Sequence, residues 1–125
     1  MELIVGGAYQ GKEEYARNLF PDISWIDGDS CSEEEILHCQ GIWNFQRYLE
    51  RKMEQGKPVE GLGKLLYEKN PDMIIVTDEI GCGIVPLDPF QRAFREQAGR
   101  VCTELAERSL RVHRVICGVG MVIKR

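Results

Sequence analysis

Residues 6–13 read Gly6-Gly7-Ala8-Tyr9-Gln10-Gly11-Lys12-Glu13. This is a G-x-x-x-x-G-K spacing that follows the apolar run Leu3–Val5 and precedes a helical pattern. Glycines let several backbone N–H groups point at one anion. The following helix adds its positive end, and the lysine adds a full charge. The chemistry on offer is capture of the phosphates of ATP or GTP, with Mg²⁺ as the usual counterion. In such loops a Ser or Thr hydroxyl after the lysine ligates the metal. Here Glu13 stands at that position. A carboxylate can also ligate Mg²⁺. At ~5 Å from a phosphate and an effective dielectric near 20, however, its repulsion is on the order of 3 kcal/mol. Turned to solvent, it suits a helix N-terminus. The competing reading is a plain glycine turn with an incidental lysine, because the spacing alone is not specific.

The elements that must position this loop read as α/β. The chain has 125 residues, enough for one domain with a substantial core. Strands are expected at Leu3–Val5, Ile23–Ile26, Met73–Thr77, Val112–Cys117 and Met121–Lys124. The last two form a hairpin around Gly118-Val119-Gly120. The first helix should run from Gly11 to Phe20, stopped by Pro21. A second should start at Ser32, where Ser-Glu-Glu-Glu supplies a capping box, and run to the Gln55-Gly56-Lys57-Pro58 stretch. Its apolar stripe would be Ile36, Cys39, Trp43, Leu49 and Met53. A third covers Gly61–Lys69. The last starts at Asp88, with Pro89 at its first position, and buries Phe90, Phe94, Ala98, Val101 and Leu105. This order predicts a mostly parallel sheet with ligands beyond the carboxyl ends of its strands. If the first and third strands are neighbours, the loops following them border one cleft.

Net charge is −4, which argues against nucleic acid or an anionic membrane as partner. No apolar run approaches the ~20 residues of a membrane span. The N-terminus shows no leader pattern, and a cytoplasmic location is expected. The five cysteines (31, 39, 82, 102 and 117) are odd in number and scattered, so reduced thiols are expected. His38 and His113 lie near no obvious ligand set in sequence. Asp27, in Trp-Ile-Asp-Gly-Asp after the second strand, is the candidate Mg²⁺ ligand by position, with Asp29 beside it.

The stretch from Val76 to Lys124 resembles the adenosylcobinamide kinase / adenosylcobinamide-phosphate guanylyltransferase family of cobalamin biosynthesis. The matching residues are Val-Thr-Asp-Glu-Ile-Gly-Cys-Gly-Ile-Val-Pro (76–86), then Arg92-x-Phe94-Arg95-Glu96-x-Ala98-Gly99-Arg100, then the closing strand pair. The first loop resembles the same family's start. The resemblance implies a P-loop-type three-layer α/β domain with a C-terminal β-hairpin, and assembly as a homo-oligomer, a trimer. It implies a kinase step, in which a nucleoside triphosphate phosphorylates the aminopropanol hydroxyl of a cobinamide-like corrinoid. It also implies a guanylyltransferase step through a covalent histidine.

Carried over residue by residue, Gly6, Gly7, Gly11 and Lys12 match the family's nucleotide loop. Glu79, Gly81, Gly83 and Pro86 match its second loop, and Arg92, Arg95 and Gly99 match the helix after it. Lys12 and Glu79 are the candidate catalytic pair. Arg92, Arg95 and Gly99 share one helix face, where guanidinium forks suit phosphate. The alternatives are solvated pairs with Asp88 or Glu96 for the arginines, a packing notch for Gly99, and a cap or ion-pair role for Glu79. Departures from the family pattern are Gln10, Glu13, Cys102 and Leu110. The interval before Met73 is also short, where the nucleophilic histidine and an acidic strand end belong. His38 lacks adjacent cations to help a leaving group. Loss of the guanylyltransferase half is therefore expected, with a non-catalytic nucleotide- or corrinoid-binding module, or a bare oligomer scaffold, as the alternatives.

Overall fold

The computed structural model describes residues 1–79 and 88–125. Its strands are β1 (Glu2–Gly6), β2 (Trp25–Asp27), β3 (Gly41–Trp43), β4 (Ile74–Asp78), β5 (Arg111–Ile116) and β6 (Val119–Lys124). Its helices are α1 (Lys12–Leu19), α2 (Glu33–Ile36), α3 (Phe45–Glu54), α4 (Leu62–Lys69) and α5 (Pro89–Arg108). The six strands form one sheet in the order β2-β3-β4-β1-β5-β6. All neighbours are parallel except β5 and β6, which close the chain as an antiparallel hairpin.

Alternation along the strands builds three layers. Leu3, Ile75 and Val112 face a core shared with α3, α4 and α5, through Phe45, Leu49, Leu66, Phe94, Ala98, Val101 and Leu105. Ile4, Ile74, Val76 and Val115 face the other way, onto Ala16 of α1. A strand covered on both faces must be apolar throughout, which is why Ile74-Ile75-Val76 carries no polar break. Lys124 Nζ donates to the carbonyls of Ala106 (2.7 Å) and Glu107 (2.8 Å), satisfying the C-terminal end of α5.

Three expectations are corrected. The single helix from Ser32 to the Gln55 region is interrupted. Ser32 does cap with Glu35 as a reciprocal box, but α2 stops after one turn and β3 follows. Gly41 and Ile42 instead pair with β2 on one side and β4 on the other, a tertiary demand that overrides the helical spacing of Ile36, Cys39 and Trp43. Second, the hairpin reverses one residue earlier than expected. Cys117 (φ +51°) and Gly118 (φ +76°) form its two-residue turn, both in the left-handed region that such turns require. Third, the second strand begins at Trp25, not Ile23.

Candidate functional site: a phosphate loop at the β1–β4 edge

β1 and β4 are adjacent and in register, Gly6 opposite Asp78. Their carboxyl ends therefore lie side by side at one edge of the sheet, the adjacency that a shared cleft requires; the loop after β4 lies, beyond Glu79, outside the described residues. Glu79 N–H donates to the Gly6 carbonyl at 2.8 Å, tying the two strand ends together. At Gly6 a Cβ would lie 2.8 Å from the Val115 carbonyl oxygen, so β5 leaves room only for glycine. Gly11 has φ +82° and is the residue from which α1 starts.

Lys12 opens α1 and is 3% exposed. Its Nζ lies 2.5 Å from Oδ1 of Asp78 and donates to the Gly7 carbonyl at 3.4 Å. The ammonium is thus turned in, under the loop, and not out to solvent. Asp78 is the residue that sequence reasoning missed, although the signal was present: an apolar run, Met-Ile-Ile-Val-Thr, ending in an acid. Its backbone N–H donates to Gln46 Oε1 at 3.1 Å, so the first turn of α3 fixes the end of β4.

The other candidates take the following places. Ala8 and Tyr9 are exposed at the loop tip, Tyr9 at φ +62°. The Gln10 side chain turns to the hairpin. Its Oε1 accepts the Cys117 N–H at 2.7 Å, and its backbone carbonyl accepts the Gly118 N–H at 2.7 Å. Glu13, with Arg17, Trp43 and Asn44, lines a cavity of about 280 Å³ on the β3 side of α1. Trp43 stacks on Trp25 with 5.5 Å between centroids, and the Arg17 guanidinium lies 5.3 Å from the Trp43 ring centre. Glu79 faces Arg114, whose Nε donates to it at 3.2 Å. Gly7, Gln10, Glu79 and Arg114 line one small cavity.

Asp27 ends β2. Its Oδ1 accepts the Asp29 N–H (2.9 Å) and the Asn44 amide (3.1 Å). Sheet order sets β2 three strand spacings from β1, about 14 Å. Asp29 pairs with Arg47 at 2.9 Å. Arg92 is exposed and Arg95 half-buried on the first turns of α5, across the sheet from α1. Of the partners weighed for them, Glu96 pairs with Arg100 at 2.6 Å, and Asp88 caps the Phe90 N–H at 2.9 Å. Among the described residues, a Cβ at Gly99 would meet nothing within 4 Å, so none of them makes that glycine a packing notch. Gly81, Cys82, Gly83 and Pro86 lie outside the described residues.

The two histidines differ sharply. The His38 side chain is 72% exposed and meets Glu34 at 3.2 Å, an acid where a nucleophile facing phosphate needs cations. His113 is 2% exposed. Its Nδ1 accepts the Tyr15 hydroxyl at 2.9 Å, and its Nε2 donates to Glu2 at 3.2 Å. Arg111 Nε donates to the same carboxylate at 2.6 Å. This chain of contacts pins α1 to the sheet. Sequence gave no sign of it, because its members lie at opposite ends of the chain. Among the described residues, no group of three His, Cys, Asp or Glu is placed to hold a metal ion. No described helix is long and apolar enough to cross a membrane.

Comparison with known proteins agrees with this architecture. Residues 28–123 match the family described as cobinamide kinase / cobinamide phosphate guanyltransferase. Within the chain, 52 residues are 44% identical to the bifunctional adenosylcobalamin biosynthesis protein CobU of Escherichia coli (strain K12), and the same holds for the CobU of Salmonella typhimurium. The match covers 42% of this chain and 29% of each relative. The family match begins at residue 28, after the Gly6–Lys12 loop. The match spans most of the chain, including β3 through β5, and the protein is accordingly a member of the cobinamide kinase / cobinamide phosphate guanyltransferase family.

Proposed function

We propose that this chain binds a nucleoside triphosphate on the Gly6–Lys12 loop and transfers its terminal phosphoryl group to a hydroxyl of a cobinamide-like corrinoid. The observation that carries this reading is the buried Lys12 ammonium, held 2.5 Å from Asp78 at the shared edge of β1 and β4. α1 starts at Lys12, so a polyphosphate at this edge would meet the positive end of a helix as well as the charge.

In the transfer, Lys12 follows charge as it builds on the β/γ-bridging oxygen. Asp78 is the acid suited to the metal side, and Glu79, next to it and facing Arg114, would orient the acceptor hydroxyl. The donor set fits Mg²⁺ only as an ion bridged by phosphate and water, because Mg²⁺ is content with one carboxylate plus substrate oxygens. When bound, it would neutralise the β- and γ-phosphates. Asp27 stays a loop-shaping residue in this reading, and Arg92 and Arg95 are candidate phosphate contacts from α5. Loss of the guanylyltransferase half belongs to this reading; it is supported by the exposure of His38 beside Glu34 and the burial of His113.

A second reading is supported by Glu13 and by the Lys12–Asp78 pair itself: the chain binds nucleotide and turns nothing over. Incubation with Mg-ATP or Mg-GTP and cobinamide, followed by mass spectrometry of the corrinoid, separates the two. A phosphorylated corrinoid that disappears with Lys12→Ala supports the kinase. Saturable binding without product supports the module. A one-GMP adduct on His38 would overturn the loss of guanylyl transfer.

A further inference from the structure

Three cations meet around the C-terminal half of α3, and they outnumber the carboxylates they use. Arg51 is half-buried there. Its guanidinium donates to the backbone carbonyls of Gly28 at 2.9 Å and Cys31 at 2.6 Å, and among the described residues no carboxylate pairs with it. A carbonyl is neutral, so Arg51 keeps its whole charge in a place partly withdrawn from water. Lys52 and Lys57 share one acceptor, Oε1 of Glu33, at 3.4 and 3.2 Å. Arg51 and Lys52 also lie over one ring, 5.9 and 5.7 Å from the centre of Tyr48, so two like charges are held side by side. These residues and Ser32 line a cavity of about 530 Å³. Cys31 and Tyr48, in its wall, belong to the core layer across the sheet from α1 and the glycine loop.

We propose that this cavity is a binding site for a phosphate dianion, free or carried by a small phosphomonoester, separate from the glycine loop. Arg51, Lys52 and Lys57 set against Glu33 leave two positive charges uncompensated, since the neighbouring Glu34 turns to His38. A phosphate group carries about two negative charges at neutral pH and accepts hydrogen bonds from several directions at once. Ser32 Oγ accepts the Glu35 N–H at 3.0 Å and still has its own proton to donate. Glu33 Oε1 sits where a phosphate oxygen would receive both lysines, so a ligand must displace it. The volume lies within the range of small-molecule pockets and leaves room for a small organic group behind the phosphate.

The test is calorimetric titration of the full chain with inorganic phosphate, glycerol phosphate and succinate. The Lys57 side chain is 49% exposed, so Lys57→Gln leaves the core intact. It should weaken phosphate binding about fivefold, the loss of one charge-assisted contact at the surface. Glu33→Gln removes the competing carboxylate and should tighten phosphate about threefold. Lys12→Ala, across the sheet, should change phosphate affinity by less than about twofold. Glycerol phosphate bound tighter than phosphate supports a phosphomonoester as the occupant, and binding no tighter supports the free ion. The site is overturned if phosphate does not bind, if Lys57→Gln or Glu33→Gln leaves its affinity unchanged, if Lys12→Ala abolishes it, or if succinate binds as tightly. Each of those results leaves the phosphate-loop reading standing.

Discussion

Lys12 and Asp78 face each other across the β1–β4 edge with 2.5 Å between Nζ and Oδ1, so the cation proposed to meet a phosphate already has a protein partner. A ligand must draw the ammonium away from that carboxylate or join it there. Lys12→Ala should weaken triphosphate binding about tenfold or more. It should also cost about 2 kcal/mol of stability, because Asp78 loses its partner while still in contact with water. Titration and urea melts of the same preparation give both values.

Asp78→Asn reverses the expectation for bare anions. With the ammonium released, metal-free tripolyphosphate should bind a few-fold tighter, and added Mg²⁺ should no longer strengthen binding. If Mg²⁺ still tightens binding in this variant, Asp78 is not the metal-side acid.

Gln10→Ala removes one of the two bonds between the loop and the hairpin turn. A loss of about 1 kcal/mol is expected. Hydrogen exchange should quicken at the Cys117 amide first, since that N–H loses its acceptor. Unchanged exchange there would show that the turn holds itself.

The Tyr15–His113–Glu2 contacts predict a graded series. Tyr15→Phe should cost about 1 kcal/mol, one hydrogen bond's worth. His113→Ala should cost about 3 kcal/mol, because it opens a buried void and strips both neighbours of a partner. Chemical denaturation of both variants measures the difference.

Thiol chemistry sets the alkaline limit. Burial pushes Cys39 and Cys102 up to about 11 from an ordinary 9.0, and pushes Tyr48 up to about 12 from 10.0. The folded chain therefore keeps protons that the unfolded chain releases. The resulting stability is complete below pH 9 and drains away as pH rises through 11. At pH 8, iodoacetamide should mark exposed Cys117 before Cys31, Cys39 or Cys102, as peptide mass spectrometry would reveal.

Much of this was legible in the sequence. β1 and its loop follow from an apolar run meeting glycines. α5 follows from Asp88-Pro89 and a stripe at helical spacing, and four of its five expected core residues are fully buried. The second family stretch carried the assignment that the wider match bears out. What escaped depended on partners far away in the chain. β3 has three residues, too few for a pattern, and exists because β2 and β4 flank it. Asp27 and Asp78 both end strands, and only the sheet order decides which of them meets Lys12. The role of Gln10 needed the hairpin turn, whose exact residues hinge on Cys117 accepting a left-handed backbone.

The position of β1 also bears on how the protein is made. β1 sits inside the sheet, between β4 and β5, and Glu2 finds Arg111 across 109 residues of chain. Loops that long close slowly and at an entropic cost. β1 can pair with β4 once that strand is made, but its other edge stays open until β5 follows. Until then that edge offers unpaired N–H and C=O groups to any neighbouring chain.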